Sequence, residues 1–172
     1  MPSCLSIVQT ICNRIGINAP TQAVGSNDQQ VINLVALLNE EGQELAARHQ
    51  WVALIQEATY TTLAQEDQGL METIAPGLGY IINDTIWNRS LRRPVFGPRN
   101  PQTWQQQKAF AINGPWSSFR VKGNHLYMFP VPVAGQTCVF EYTTRNWLTD
   151  STGVPMRGYS FVMQDVKILT NL

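Results

Sequence analysis

Hydrophobic positions in the first third of the chain repeat at helical spacing. Leu5, Val8, Cys12 and Ile15 fall at i, i+3, i+7 and i+10, one stripe of a short amphipathic helix, and Gly16 stands where a C-terminal cap belongs. Residues 17–25, broken by Pro20, read as a loop. Ser26-Asn27-Asp28-Gln29 then has the order of a capping box, with the Ser26 oxygen placed for the N3 amide and Gln29 reaching back. Val31, Leu34, Val35, Leu38, Leu45 and Ala46 make a second stripe running to His49. Asn33, Glu40, Glu41, Gln43 and Glu44 lie mostly on its other faces. The pattern predicts a helix of about five turns packed on the first.

After Trp51 the period changes from helix to strand. Ile55, Glu57, Thr59, Thr61 and Leu63 alternate with Gln56, Ala58, Tyr60 and Thr62, and β-branched residues dominate. Residues 66–69 read as a turn, residues 80–82 and 85–87 as strand pieces, and residues 90–101, with Pro94, Gly97, Pro98 and Pro101, as loop. Thr103 to Lys108 follows a proline and has no breaker until Asn113-Gly114-Pro115, which predicts one or two helical turns. From Phe119 to Trp147 the chain reads as two strands joined in a hairpin, with turn chemistry at Gly123-Asn124 and again from Pro132 to Gly135. Pro130 and Pro132 carry no N–H for a ladder, so the first strand ends there or lies at an edge.

These elements predict an α+β fold: an N-terminal two-helix layer (1–51) packed with an antiparallel β-rich domain (52–148), and an extended C-terminal tail (149–172). A chain of 172 residues is long enough to bury a real core. Charge refines this outline. Twelve basic and twelve acidic residues cancel overall, so the total calls for neither a nucleic-acid nor a membrane partner. The two signs are unevenly spread: Met1 to Glu72 holds eight acids and two bases, a balance of −6, and the remainder holds four acids and ten bases, a balance of +6. Such a chain could pair head to tail with its own copies, although two separately solvated faces are the simpler explanation of the split. The three cysteines, Cys4, Cys12 and Cys138, have neither disulfide-framework nor zinc spacing, which suits a reducing compartment. No apolar run approaches the roughly 20 residues that a bilayer requires.

Catalytic chemistry has little to build on. His49 and His125 have no second ligand at metal spacing, so no metal, no cofactor and no catalytic residue is expected. Glu141 and Asp150 are the one conceivable acid–base pair for a glycosidase, with Trp87, Trp104, Trp116 and Trp147 as sugar platforms. Five tryptophans more commonly anchor cores and interfaces. Arg89, Arg92, Arg93 and Arg99 form the most pointed charge feature, a basic loop suited to phosphates or to a neighbouring subunit's carboxylates.

The order of elements carries a resemblance. An N-terminal helix, a capped longer helix ending in Arg48-His49-Gln50-Trp51, a Thr-rich strand, Leu91-Arg92-Arg93-Pro94 and the Trp104 segment come first. Phe119 to Pro132, with its Gly-Asn turn and Pro-Val-Pro exit, and Phe140-Glu141-Tyr142 complete it. This order resembles the head-to-tail adaptor (connector) proteins of short-tailed bacteriophages, over residues 3–148. The resemblance implies a non-enzymatic virion protein at the head–tail junction, assembled in the host cytoplasm as a ring, commonly of about twelve copies. Its implied partners are further copies of itself, the portal protein, tail nozzle or tail fibre proteins, and double-stranded DNA passing through without sequence-specific binding. Arg89, Arg92, Arg93 and Arg99 against Glu40, Glu41 and Glu44 are the expected subunit interface. Phe161, Val162, Ile168, Leu169 and Leu172 are the expected anchors of a portal-docking arm. The family usually continues into further C-terminal helices, where this sequence is short. A different class of reading is a carbohydrate- or protein-binding β-domain of a tail or capsid accessory protein, with exposed tryptophans as its platform.

Overall fold

Both N-terminal helices are present in the computed structural model, which describes residues 3–110, 114–150, 154–158 and 167–168. The chain divides into two compact units, residues 1–55 with 144–172, and residues 56–143. The fold class is α+β, as expected.

In the first unit, α1 (Cys4–Ile15) starts at Ser3, whose side chain accepts from the Ser6 N–H, and ends at Gly16 with φ 73°, the left-handed geometry that glycine adopts at least cost. The long helix, α2 (Gln29–Arg48), is capped differently from the sequence expectation. Asp28 is the N-cap, its carboxylate accepting the Gln30 N–H at 2.9 Å, while Ser26 Oγ accepts the Asp28 N–H at 3.2 Å. The aspartate sits one residue before the helix, within reach of the second amide, so Ser26 is left to stabilise the approach. Cys4, Val8, Cys12, Val31, Leu54, Trp147 and Leu148 share one core, with Leu34, Val35, Leu38 and Ala46 packed against it. Each side chain fully buried there contributes about 1.5–3 kcal/mol. Leu45, at the end of the expected stripe, is exposed instead.

A 3-10 turn at Val52–Leu54 leads out of this unit. The chain returns to it at Thr144, and β9 (Leu148–Thr149) lies between β10 (Pro155–Met156) and β11 (Lys167–Ile168), antiparallel to both. Of the five expected arm residues, Phe161, Val162, Leu169 and Leu172 lie outside the described residues. Ile168 is a strand position in register with Leu148.

The second unit is a single large sheet with two short helices. Its strands are β1 (Ile55–Thr61), β2 (Asp67–Leu70), β3 (Leu78–Ile81), β4 (Trp87–Asn88), β5 (Arg93–Phe96), β6 (Ser117–Lys122), β7 (His125–Phe129) and β8 (Thr137–Thr144). The helices are α3 (Met71–Ile74) and α4 (Pro101–Ala109). The strand path runs β1-β8-β4-β5-β6-β7-β2, with β3 also on β8. Its two end strands, β1 and β2, are joined by residues 62–66 alone, so the sheet curls back on itself. Tyr60 on β1 reaches across to β7, its hydroxyl donating to Met128 Sδ at 3.2 Å. The enclosed core contains Phe119, Leu126, Met128, Cys138, Phe140 and Tyr142.

Three parts of this sheet depart from the sequence reading. The hairpin is β6–β7 alone, turning at Gly123 and Asn124, both at positive φ (56° and 61°), the geometry that a tight two-residue turn demands. The strand after Pro132–Gly135 does not return to β7. It crosses to lie between β1 and β4, because β2 already occupies the far edge of β7. Thr62 fixes that crossing, its hydroxyl donating to Val133 O at 2.6 Å and accepting from Gln136 N at 3.0 Å. Residues 66–69 are largely strand β2 rather than a turn, with an irregularity between Asp67 and Gly69. The loop expected at 90–101 contains β5, which pairs parallel to β6, so the sheet is mixed rather than wholly antiparallel.

Folding also redistributes charge. The first unit holds six acids and five bases, and the second holds six acids and seven bases, so balances of −1 and +1 replace the −6 and +6 of the linear sequence. The acidic stretch from Glu57 to Glu72 falls in the same unit as most of the basic residues and pairs with two of them, Arg89 and Lys108.

Candidate functional site

The four arginines of the basic loop do not form one free cluster. Arg89 Nη2 lies 2.9 Å from Glu57 Oε2, an exposed ion pair worth little to stability. Arg99 is half-buried and its Nε donates to Ser118 Oγ at 3.2 Å. Arg93 donates to the Pro115 carbonyl at 3.2 Å and holds its guanidinium 6.0 Å from the Trp116 ring centroid, within reach of a cation–π attraction. Arg92 is exposed with φ 55°, and among the described residues it has no side-chain partner. Two cations, Arg92 and Arg93, thus remain exposed without an acidic partner among the described residues.

The outer face of β4 and β5 adds what the sequence did not reveal. Trp87 pairs with Pro94, so the two share a face, and Phe96, two residues on, shares it too. Trp116, immediately before β6, meets Phe96 edge to face at 5.9 Å and 72°. Trp87, Phe96 and Trp116 are 46%, 40% and 51% exposed, while Asn88 and Val95, which alternate with the first two along their strands, are buried. The result is a patch of three aromatic side chains with Arg93 against Trp116 and exposed Arg92 preceding it in the chain. Phe96 escaped the sequence reading because a segment rich in Pro and Gly was assigned no strand and hence no face. The alternation of Val95 in and Phe96 out was its only signal.

The remaining tryptophans divide by burial. Trp104 is buried against Phe129 and Trp147 is buried in the helical unit, so neither is a platform, whereas Trp51 is part-exposed and donates to Leu45 O at 2.8 Å. On α2, Glu40, Glu41 and Glu44 are all exposed. Glu44 is ion-paired with Arg48 one turn on, and Glu40 and Glu41 have no cation within ion-pair distance among the described residues.

A cleft of about 300 Å³ lies elsewhere on the second unit, lined by Glu66, Asp67, Trp104, Lys108, Arg120 and Tyr127 among others. Both of its carboxylates are ion-paired. Lys108 pairs with Glu66 at 2.9 Å and His125 Nδ1 with Asp67 at 2.9 Å. The Gly69 N–H and then the His125 ring hold the Asp67 carboxyl below its ordinary range. No cluster of three metal-ligating side chains occurs among the described residues. Glu141 stands exposed on β8 and Asp150 accepts the Val154 N–H at 2.7 Å. The two belong to different compact units. His49 caps α2 and meets Trp51 edge to face at 5.3 Å.

Scans against protein-family models and against curated protein sequences give no match. Among the described residues, no helix is long and apolar enough to cross a membrane.

Proposed function

We propose that this chain is a structural virion protein, a head-to-tail adaptor of a short-tailed bacteriophage. It assembles as a ring between portal and tail, extends the DNA channel and attaches tail proteins. The reading rests on the resemblance in element order. The observation that carries it furthest is the patch of Trp87, Phe96 and Trp116 beside Arg92 and Arg93, because exposed aromatic and arginine side chains are what the energetic centres of protein interfaces are made of. In this reading the protein has no catalytic role, works at the head–tail junction after assembly in the host cytoplasm, and lets double-stranded DNA pass without reading its sequence.

Light scattering on the purified protein, alone and mixed with the portal protein of the same phage, tests the reading. The expected result is a monomer or weak oligomer alone and a defined ring on the portal. A stable monomer that leaves the portal bare overturns it. The accessory-domain reading keeps one observation in its favour, the half-exposed Trp116 ring. Binding on a glycan array that disappears with Trp116→Ala, with portal assembly unchanged, would select it.

A further inference from the structure

The aromatic–arginine patch has a chemical complement on the same chain. Along α2, Leu37, Glu41 and Leu45 stand at i, i+4 and i+8, a single line on the helix surface, and Glu40 and Glu44 flank it one position away. Leu37 is 56% exposed and Leu45 47%, although the core-facing line of the same helix is buried or half-buried. The second line is apolar at its ends and acidic between them. The patch on β4–β6 is aromatic with cations beside it.

We infer that these two surfaces bind each other between copies: the patch of one subunit seats on the Leu37–Leu45 line of the next. The inference rests on the adaptor reading for ring closure, and it adds which face meets which. Dimensions agree. Leu37 to Leu45 spans about 12 Å at the rise of an α-helix, and the patch spans two interstrand spacings from β4 to β6, about 10 Å. Electrostatics selects the pairing. A contact of either face with its own copy would lay Arg92 and Arg93, or Glu40 and Glu41, against like charge, so each face repels itself and attracts the other. A head-to-tail contact satisfies both, and in the adaptor reading such a contact, repeated with a closing rotation, makes a ring. Within it Arg92 and Arg93 meet Glu40 and Glu41, while the rings of Phe96 and Trp116 cover Leu37 and Leu45 and exclude water from the ion pairs.

A charge exchange tests the pairing. Arg92→Glu with Arg93→Glu, and separately Glu40→Arg with Glu41→Arg, should each lower the fraction of portal particles carrying a ring about tenfold or more. All four substitutions together should restore it. Cooperative thermal melting of every variant shows that folding is intact. Phe96→Ala with Trp116→Ala, which leaves charge unchanged, should reduce ring formation by a similar factor. Rings unaffected by either reversal overturn the pairing and leave the adaptor reading standing. Loss in both reversals without restoration by the exchange also overturns it, and assigns the patch to the portal or a tail protein. A wild-type protein that never assembles on portal removes both.

Discussion

Gly42, in the middle of α2, sets two effects of opposite sign against each other. In an open helix, Gly→Ala is favourable by about 1 kcal/mol, because glycine has more backbone freedom to lose on folding. Here a Cβ on residue 42 would stand 2.6 Å from Cζ3 of Trp147 and nearer still to Cζ2 and Cη2. Ordinary carbon contacts lie at about 3.5–4.0 Å, so the indole must move by an ångström or more. Trp147 is only 8% exposed and belongs to the core with Val8, Val31 and Leu148, so little free space receives it. Overpacking of this kind costs about 1–3 kcal/mol, and displacing the tryptophan from the core altogether costs about 3–5 kcal/mol. The clash outweighs the propensity gain, and Gly42→Ala should destabilise the protein by about 1–3 kcal/mol. Urea unfolding followed by far-UV circular dichroism reads this as a lower midpoint at unchanged slope. A second variant, Gly42→Ala with Trp147→Leu, should recover part of the loss. A Gly42→Ala protein more stable than wild type would refute the packing of Trp147 against α2.

Three further outcomes follow from the second unit and the cysteines. Gln68 is buried, and its amide closes the seam between β1 and β2, accepting from Leu63 N at 2.8 Å and donating to Leu63 O at 3.2 Å and to Gln65 O. Gln68→Ala should therefore cost about 2–4 kcal/mol in urea unfolding. The Asp67 carboxyl is held below its ordinary value of 3.8, chiefly by the Gly69 N–H and then by His125. Its stabilising contribution is thus complete above that value and lost as pH falls through the lower folded-state value. Asp67→Asn should flatten this part of the acid limb in a urea-midpoint titration, and an unchanged acid limb would count against the contact. Cys4, Cys12 and Cys138 are all buried and burial pushes the Cys4 thiol up to about 11, so a thiol reagent at neutral pH should label none in the native protein and all three in urea.

The helices were legible because their information is local. The helical spacing of Val8 and Cys12 in α1 and of Val31, Leu34, Val35 and Leu38 in α2, with the glycine at position 16, already defines faces and an end, whereas the choice between Ser26 and Asp28 as cap and the exposure of Leu45 needed the backbone. Strand existence was legible where β-branched residues alternate, as from Ala58 to Thr62, but pairing was not. Whether β8 returns to β7 or crosses to β1 depends on which edge β2 has taken, a contact between residues about 60 apart in sequence. The strand β2 itself was hidden by an Asp-Gln-Gly sequence that reads as a turn. It is held by the Gln68 side chain and by the Met128 N–H to the Glu66 carbonyl. The same nonlocality hid the interface candidates. Arg89 and Arg99 looked equivalent to Arg92 and Arg93 until the fold brought Glu57 and Ser118 beside them, and Phe96 gained an outward face only when β5 joined the sheet.

The most direct test of the adaptor account is electron microscopy of purified portal particles incubated with this protein. The account predicts class averages with a second ring stacked coaxially on the portal around an open channel. Portal averages without added density, at protein concentrations well above those of the portal, would contradict it.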